Sequence, residues 1–312
     1  MPEEDSHSSS LLVTKEKDEA AIPNNCGEEH CVFLANSLHL PRIGTTNSAK
    51  TALAPAPEDG RLHLEQHGPL LYGRWEKAVC TDVEQDTRCV YRQILGLGKE
   101  WSIARIWNLV PHINDCVNGL ETYRSFSKAR SEVFFQHYTA KANSHMPAAT
   151  GIGRKDKGMS VSFIACKGEV SHHENPFQTP AYLYPPQYGP RPPSFARASI
   201  CRTKALHAAF ISGTAAVVGH ESICEDIGTE CRVTVENLKT MDAITRADNA
   251  TGRTYRLINV FVRNASQHQY ISEYLQEHWL EPEDRVSYYN ADICRKELNL
   301  EIEFARISYG QL

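Results

Sequence analysis

The sequence predicts a mixed α/β protein (α+β) made of two halves, each a mixed sheet with two helices packed on one face. Three observations predict it. A strand–helix–strand–helix–strand order occurs twice, at about 69–167 and 205–309. The strand segments alternate with period two, while the helical segments space their apolar residues by three and four. Across 312 residues, 41% hydrophobic and 23% charged content is that of a soluble globular chain long enough for two domains.

The elements follow in order. Residues 1–64 are expected to be a disordered tail and linker. The first 25 are polar and acidic, and GTTNSAKTALAPAPEDGR (44–61) is dominated by small, polar and Pro residues. Within this stretch, CVFLANSLHL (31–40) is a candidate strand. The N-terminal half spans 65–200. GPLLYGRWEKAVC reads as a strand, and DVEQDTRCVYRQILGLG as a helix striped by Val83, Val90, Ile94 and Leu97 and closed by glycines. SIARIWNLV is a strand, GLETYRSFSKARSEVFFQHY (119–138) an amphipathic helix, and MSVSFIACKG a strand. ENPFQTPAYLYPPQYGPRPPSFARA (174–198) is too rich in Pro for regular structure and reads as an ordered, irregular segment.

The C-terminal half spans 201–312. HAAFISGTAAVVG reads as paired strands turning near Gly213. CEDIGTECRVTVENLKTMDAIT carries Ile227, Cys231, Val235 and Leu238 at helical spacing. TYRLINVFVR is a strand, SQHQYISEYLQEHW a helix, and DRVSYYNADIC and LNLEIEFARI are closing strands. In the last, Leu300, Ile302 and Phe304 point one way, and Asn299, Glu301 and Glu303 the other. If that polar face lines a pocket, one of its glutamates is a candidate proton donor.

Several function classes are set aside. Net charge is −5, without a basic run, so nucleic acid is not an expected partner. The N-terminus lacks the pattern of a signal peptide, and no apolar run reaches the length of a membrane span, so a cytoplasmic protein is expected. The ten cysteines contain no C-x-x-C pair and are expected as free thiols. The adjacent histidines of SHHEN point to opposite faces of a strand, and no metal is expected there. ATGIG and GLGK lack the full glycine fingerprint of a phosphate loop. His220 and Glu221, in a small-residue turn, are expected to shape rather than to transfer protons.

The C-terminal half resembles the Rid family of trimeric reactive-intermediate deaminases, from FISGTAAVVGHE through GTECRVTVENLKTM to DRVSYYNADICRKELNLEIEFARI. The resemblance implies Rid-like halves of chorismate mutase-like topology. It implies that Arg285, opening the penultimate strand, holds a substrate carboxylate and that a last-strand glutamate takes part in the chemistry. That glutamate is Glu301, with Glu303 competing because the spacing is one residue longer than the family's. The whole chain, over about 65–312, resembles the chorismatases: YGRWE, RIWNLVPHIN, GLETYRSF, PAATGIG, the 174–198 segment, FISGTAAVVGHE and ADICR occur in the family's order. This implies cleavage of the enolpyruvyl ether of chorismate to pyruvate plus 3-hydroxybenzoate or a dihydroxycyclohexadiene carboxylate, without metal or organic cofactor. By the same resemblance, Cys294 is a shape-setting residue that leans toward hydroxybenzoate. Phe177, Ser127 and Ala129 depart from the family's motifs, where Arg, Asn and Gly are expected, and are candidates for an altered pocket wall.

Chorismate carries two carboxylates, which planar guanidinium groups grip in pairs. Arg191, Arg197 and Arg285 are the candidates, with Tyr184 and Tyr188 offering hydroxyls and flat faces. Cleavage begins with protonation of the ether's methylene carbon, which a buried carboxylic acid can perform at neutral pH. Glu301 is the expected general acid. Two other functions compete: imine or enamine hydrolysis as in single-domain Rid proteins, and non-catalytic binding of a small molecule. Two halves in one chain are compatible with a site at their internal interface, in a monomer or a small homo-oligomer.

Overall fold

The structure, a computed structural model, describes residues 60–203, 206–246 and 254–309. The strand expected at 31–40 and nearly all of the expected tail lie outside the described residues. The sheet begins within the stretch assigned to the linker, because β1 spans Arg61–His67.

β1 turns through Gly68, at φ +55°, into β2 (Leu70–Lys77). Helix α1 (Val83–Leu95) starts where the Asp82 carboxylate accepts the Gln85 N–H at 3.0 Å, and it buries Val90, Tyr91, Ile94 and Leu95. Then come β3 (Ser102–Pro111) and a tight hairpin, β4 (Cys116–Val117) and β5 (Leu120–Glu121). Residues 119–121, expected as helix, belong to this hairpin: Asn118 (φ +52°) and Gly119 (φ +80°) both take the left-handed conformation a two-residue turn requires. Helix α2 follows (Thr122–Tyr138), then β6 (Ala148–Arg154) and β7 (Met159–Cys166). The strand order is β1-β2-β7-β3-β6, antiparallel except for β3 with β6.

The second sheet is assembled on the same scheme. Its strands are β8 (Glu169–His173), β9 (Ala198–Arg202), β10 (Leu206–Thr214), β13 (Thr254–Val262), β14 (Arg285–Asn290) and β15 (Leu300–Tyr309), in the order β14-β13-β15-β10-β9-β8. A small pair, β11 (Val217–Val218) and β12 (Glu221–Ser222), follows β10. Helices α3 (Ile227–Arg246) and α4 (His268–His278) flank β13 in sequence. Only β13 and β14 run parallel. The sheet takes β8 from before the boundary expected at 200/201, and β9 runs across that boundary, so the irregular 174–198 segment is a long connection inside the second sheet. The expected turn at Gly213 is a bulge in one strand, β10, where the register with β15 shifts between Ile211 and Thr214.

The two sheets face one another. Trp107, Leu109, Ile152 and Ile164 of the first meet Phe210, Phe261, Ala305 and Ile307 of the second in one buried cluster. The helices cover the outer faces: Tyr91, Phe126 and Phe134 pack with Ile106, Val161 and Phe163, while Cys231, Leu238, Ile271 and Leu275 pack with Leu300, Ile302 and Phe304. Each such side chain contributes about 1.5–3 kcal/mol on burial. Four layers result, helix–sheet–sheet–helix, and the apolar side of β15 faces its own helices. The inner face of β15 runs Glu301, Glu303, Ala305, Ile307. That of β7 runs Ser160, Ser162, Ile164, Cys166, in the same order of two polar residues followed by two apolar ones.

Candidate active site

The glutamates of β15 lie between the sheets, with Glu301 3% and Glu303 1% exposed. Their surroundings differ. Glu303 accepts from Trp107 Nε1 at 2.8 Å and Asn259 Nδ2 at 3.1 Å, and is bonded by Arg105 Nη2 and the Thr150 hydroxyl. Glu301 lines a cavity of about 420 Å³, within the range of roughly 300–1,000 Å³ usual for small-molecule sites. Its neighbour in hydrogen-bond geometry is the Cys294 thiol, with Sγ 3.7 Å from Oε2. Burial first, then repulsion from Glu303, raises the Glu301 carboxyl to about 8; Cys294, Arg105 and Arg197 pull the other way. Burial likewise holds the Cys294 thiol and the Tyr123 phenol protonated.

The bulge in β10 makes room for the acid. A Cβ on Gly213 would stand 1.9 Å from Glu301 Oε1, so only glycine leaves the carboxyl where it is. Thr150 Oγ1 fixes the bulge from the opposite sheet by accepting the Gly213 N–H at 2.9 Å.

Three arginines line the cavity: Arg124 of α2, paired with Glu121 at 3.1 Å, and Arg197 and Arg295 from two loops. Arg197, in the last turn before β9, donates to the Tyr184 hydroxyl at 2.7 Å and the Thr179 carbonyl at 3.3 Å. Its Nε is buried without a hydrogen-bond partner. Glu174 lies beside it, and burial pushes that carboxyl up to about 7 against the pull of Arg197 and Tyr182. Arg295, in the loop between β14 and β15, lies over the rings of Tyr188 and Tyr184, at 4.6 and 5.3 Å from the centroids. It donates to Ser222 Oγ at 2.8 Å and keeps a buried, unpartnered Nη2. Buried donors without acceptors are rare in proteins, and Arg197 and Arg295 each combine one with a place on the cavity wall.

The sequence-predicted residues separate accordingly. Glu301, Arg197, Tyr184, Tyr188 and Cys294 come together on the cavity wall. Tyr188 donates to the His220 carbonyl at 2.7 Å, so His220 braces the tyrosine. Arg191 is exposed and lies outside the lining. Arg285 is not brought to the cavity either. It opens β14, and five residue steps of strand, roughly 17 Å, separate it from the end that leads into the cavity loop. Arg295 stands where that loop arrives. It was missed although it closes the quoted ADICR motif; its spare guanidinium edge is visible only once the loop is folded. Cys294 reaches Glu301 through the same loop rather than by strand pairing, since β14 pairs with β13 and ends at Asn290. Phe177 is 67% exposed and no part of the wall, while Ser127 and Ala129 are buried on α2. Among the described residues, no group of three or more His, Cys, Asp or Glu side chains is placed to hold a metal, and no helix is long and apolar enough to cross a membrane.

Two similarly ordered sheets that close on a buried carboxyl and an arginine-lined cavity give the protein a candidate site for a small molecule. The comparisons agree. The family described as chorismatase FkbO/Hyg5-like, N-terminal, matches residues 49–165. A 3-hydroxybenzoate synthase of Streptomyces hygroscopicus is 36% identical over 235 residues, 70% of this chain and 68% of its own. A chorismatase of Streptomyces rapamycinicus is 36% identical over 213 residues, 65% of this chain and 63% of its own. A solved chorismatase structure superposes with a TM-score of 0.71 at 28% identity, covering 78% of this chain and 76% of that one. The chain belongs to the chorismatase family.

Proposed function

We propose that this protein cleaves the enolpyruvyl ether of chorismate, with Glu301 protonating the methylene carbon and pyruvate as one product. The observation that supports this above all is a buried carboxyl that keeps its proton near neutral pH and faces a cavity flanked by Arg197 and Arg295. The arginines hold the two substrate carboxylates, and the tyrosine faces at 184 and 188 lie along the ring.

Proton transfer from Glu301 to the methylene forms a C–H bond and leaves an oxocarbenium ion facing the new carboxylate, which stabilises it. Addition of water then gives a hemiketal that collapses to pyruvate and a dihydroxycyclohexadiene carboxylate, consuming one water. Attack by the ring's own hydroxyl on the neighbouring ether-bearing carbon instead breaks that C–O bond and releases pyruvate, and the ring oxide left behind opens and loses a ring proton to give hydroxybenzoate, a pair isomeric with chorismate that consumes no water. Cys294, against Glu301, is an uncharged, shape-setting wall, and we assign the chain to the 3-hydroxybenzoate-forming type on that residue.

The test is incubation of the purified protein with chorismate, following pyruvate by a coupled assay and separating the organic products by chromatography. Pyruvate with 3-hydroxybenzoate is expected, and Glu301→Gln should abolish turnover while leaving chorismate binding in place. Chorismate binding without pyruvate would assign the cavity to a binding protein.

A further inference from the structure

Three motifs stand outside the cavity's chemistry: RIWNLV of β3, PAATGIG at the start of β6, and the RLINV stretch of β13. Their polar residues meet at one carboxylate. Arg105 and Trp107 from the first, Thr150 from the second and Asn259 from the third all bond Glu303. All five are buried, with no side chain more than 3% exposed. Four donors around one carboxyl leave it nothing to donate to, so Glu303 is held as the anion. It stands two residues from Glu301 on the same face of β15.

We propose that Glu303 is a positioning residue that keeps the proton on Glu301, acting as a fixed negative charge locked by Arg105, Trp107, Thr150 and Asn259. The proposal rests on Glu301 as the acid. Charge balance supports it. A second ionised carboxylate two residues away, buried between the sheets, is repelled by the first, so the one lacking strong donors retains its proton. Around Glu301 stand the uncharged Cys294 and Tyr123 and the cations Arg105 and Arg197, and the same cavity wall adds Arg124 paired with Glu121, and Arg295, Lys296 and Glu297 of the loop before β15. Arg105 is paired with Glu303, and both it and Arg197 oppose the effect of the anion on Glu301. Burial raises Glu301 most, and Glu303, on the same face of the strand and held by four donors, is the charged group that adds most to it. The same lock shapes the site directly: the Thr150 oxygen that bonds Glu303 also accepts the Gly213 N–H, tying the charge to the bulge that seats the acid.

The test is the pH profile of kcat/KM for Glu303→Gln and for the paired Arg105→Gln/Glu303→Gln, which leaves no unmatched buried charge if the single variant does not fold. Losing the anion lowers the proton affinity of Glu301. The alkaline limb should move to lower pH by about one unit or more in the single variant, a roughly tenfold loss of rate above it. In the paired variant it should move the same way by less, because the opposing cation is gone too. An unmoved limb in whichever variants fold, or a rate lost equally at every pH, overturns the proposal. Infrared titration of the protonated carboxyl band that vanishes in Glu301→Gln gives the same displacement without relying on turnover. If Glu301→Gln stays active, the acid assignment fails, and the displacement of that band still decides the role of Glu303.

Discussion

Replacing Glu301 with glutamine should make the protein more stable at alkaline pH, by an amount set by the carboxyl's confinement. In the unfolded chain the carboxyl loses its proton near 4.5; in the fold it holds it to about 8. The folded state therefore binds more protons than the unfolded state between these values, and stability falls as pH rises through the window. Below about 4.5 the group is neutral in both states and costs nothing. Above about 8 it is ionised in both, and the fold carries the full penalty, on the order of 5 kcal/mol at about 1.36 kcal/mol per pH unit. Glutamine has nearly the same shape and no charge, so it escapes the penalty. Urea unfolding of both proteins at pH 5 and pH 9 measures it, and every other titrating group cancels in the difference. The variant should be close to the wild type at pH 5 and ahead by several kcal/mol at pH 9. A difference that does not change with pH would show that Glu301 ionises as an ordinary surface carboxylate and would sink the acid assignment.

Gly213→Ala should lower kcat about a hundredfold with little change in melting temperature, because the new methyl drives the Glu301 carboxyl back by roughly 1 Å; steady-state kinetics beside a thermal melt separates the two effects. Arg295→Lys keeps the charge and loses the planar fork over the tyrosines, so KM for chorismate should rise about ten- to a hundredfold, with kcat less affected. Cys294→Ala should keep kcat within about tenfold and shift the product ratio toward the dihydroxycyclohexadiene carboxylate, read by chromatography. Phe177→Arg should leave kcat/KM within about twofold, because that side chain points into solvent.

Periodicity carried most of the fold. The stripes of α1 and α3 follow from residue spacing; β13 and β15 are buried on both faces, and in β15 the alternation still separates Leu300, Ile302 and Phe304, toward the helices, from Glu301 and Glu303. The alternation in NLEIEFARI placed both glutamates on one face, and the structure shows that face turned inward. Short strands escaped. β6, β8 and β9 have weak alternation and owe their conformation to backbone pairing with neighbours distant in sequence. The site was legible where a residue's type was unusual for its place, as with Glu301 in an apolar strand and Arg197 after a Pro-rich run. Arg285 went astray because a strand's start and its end lie at opposite edges of the sheet, and sequence proximity to a motif does not say which edge meets the cavity. Telling Glu301 from Glu303 required Arg105, Trp107 and Thr150, about 150 to 200 residues away in the chain.

The matching inner faces of β7 and β15 carry one more consequence. A two-fold assembly of identical subunits must repeat every residue on both walls, so an acid on one side is an acid on the other. Had Ser160 and Ser162 been glutamates as well, four carboxyls would crowd the layer between the sheets with Arg105 as their common cation. Joining the halves by a covalent linker frees each wall to differ. One wall carries Glu301, Glu303 and Asn259, and the other supplies Arg105, Trp107 and Thr150. Setting the carboxyls on one wall and their partners on the other is open to a chain of this kind, whereas a strict two-fold dimer of either half would place both sets on both walls.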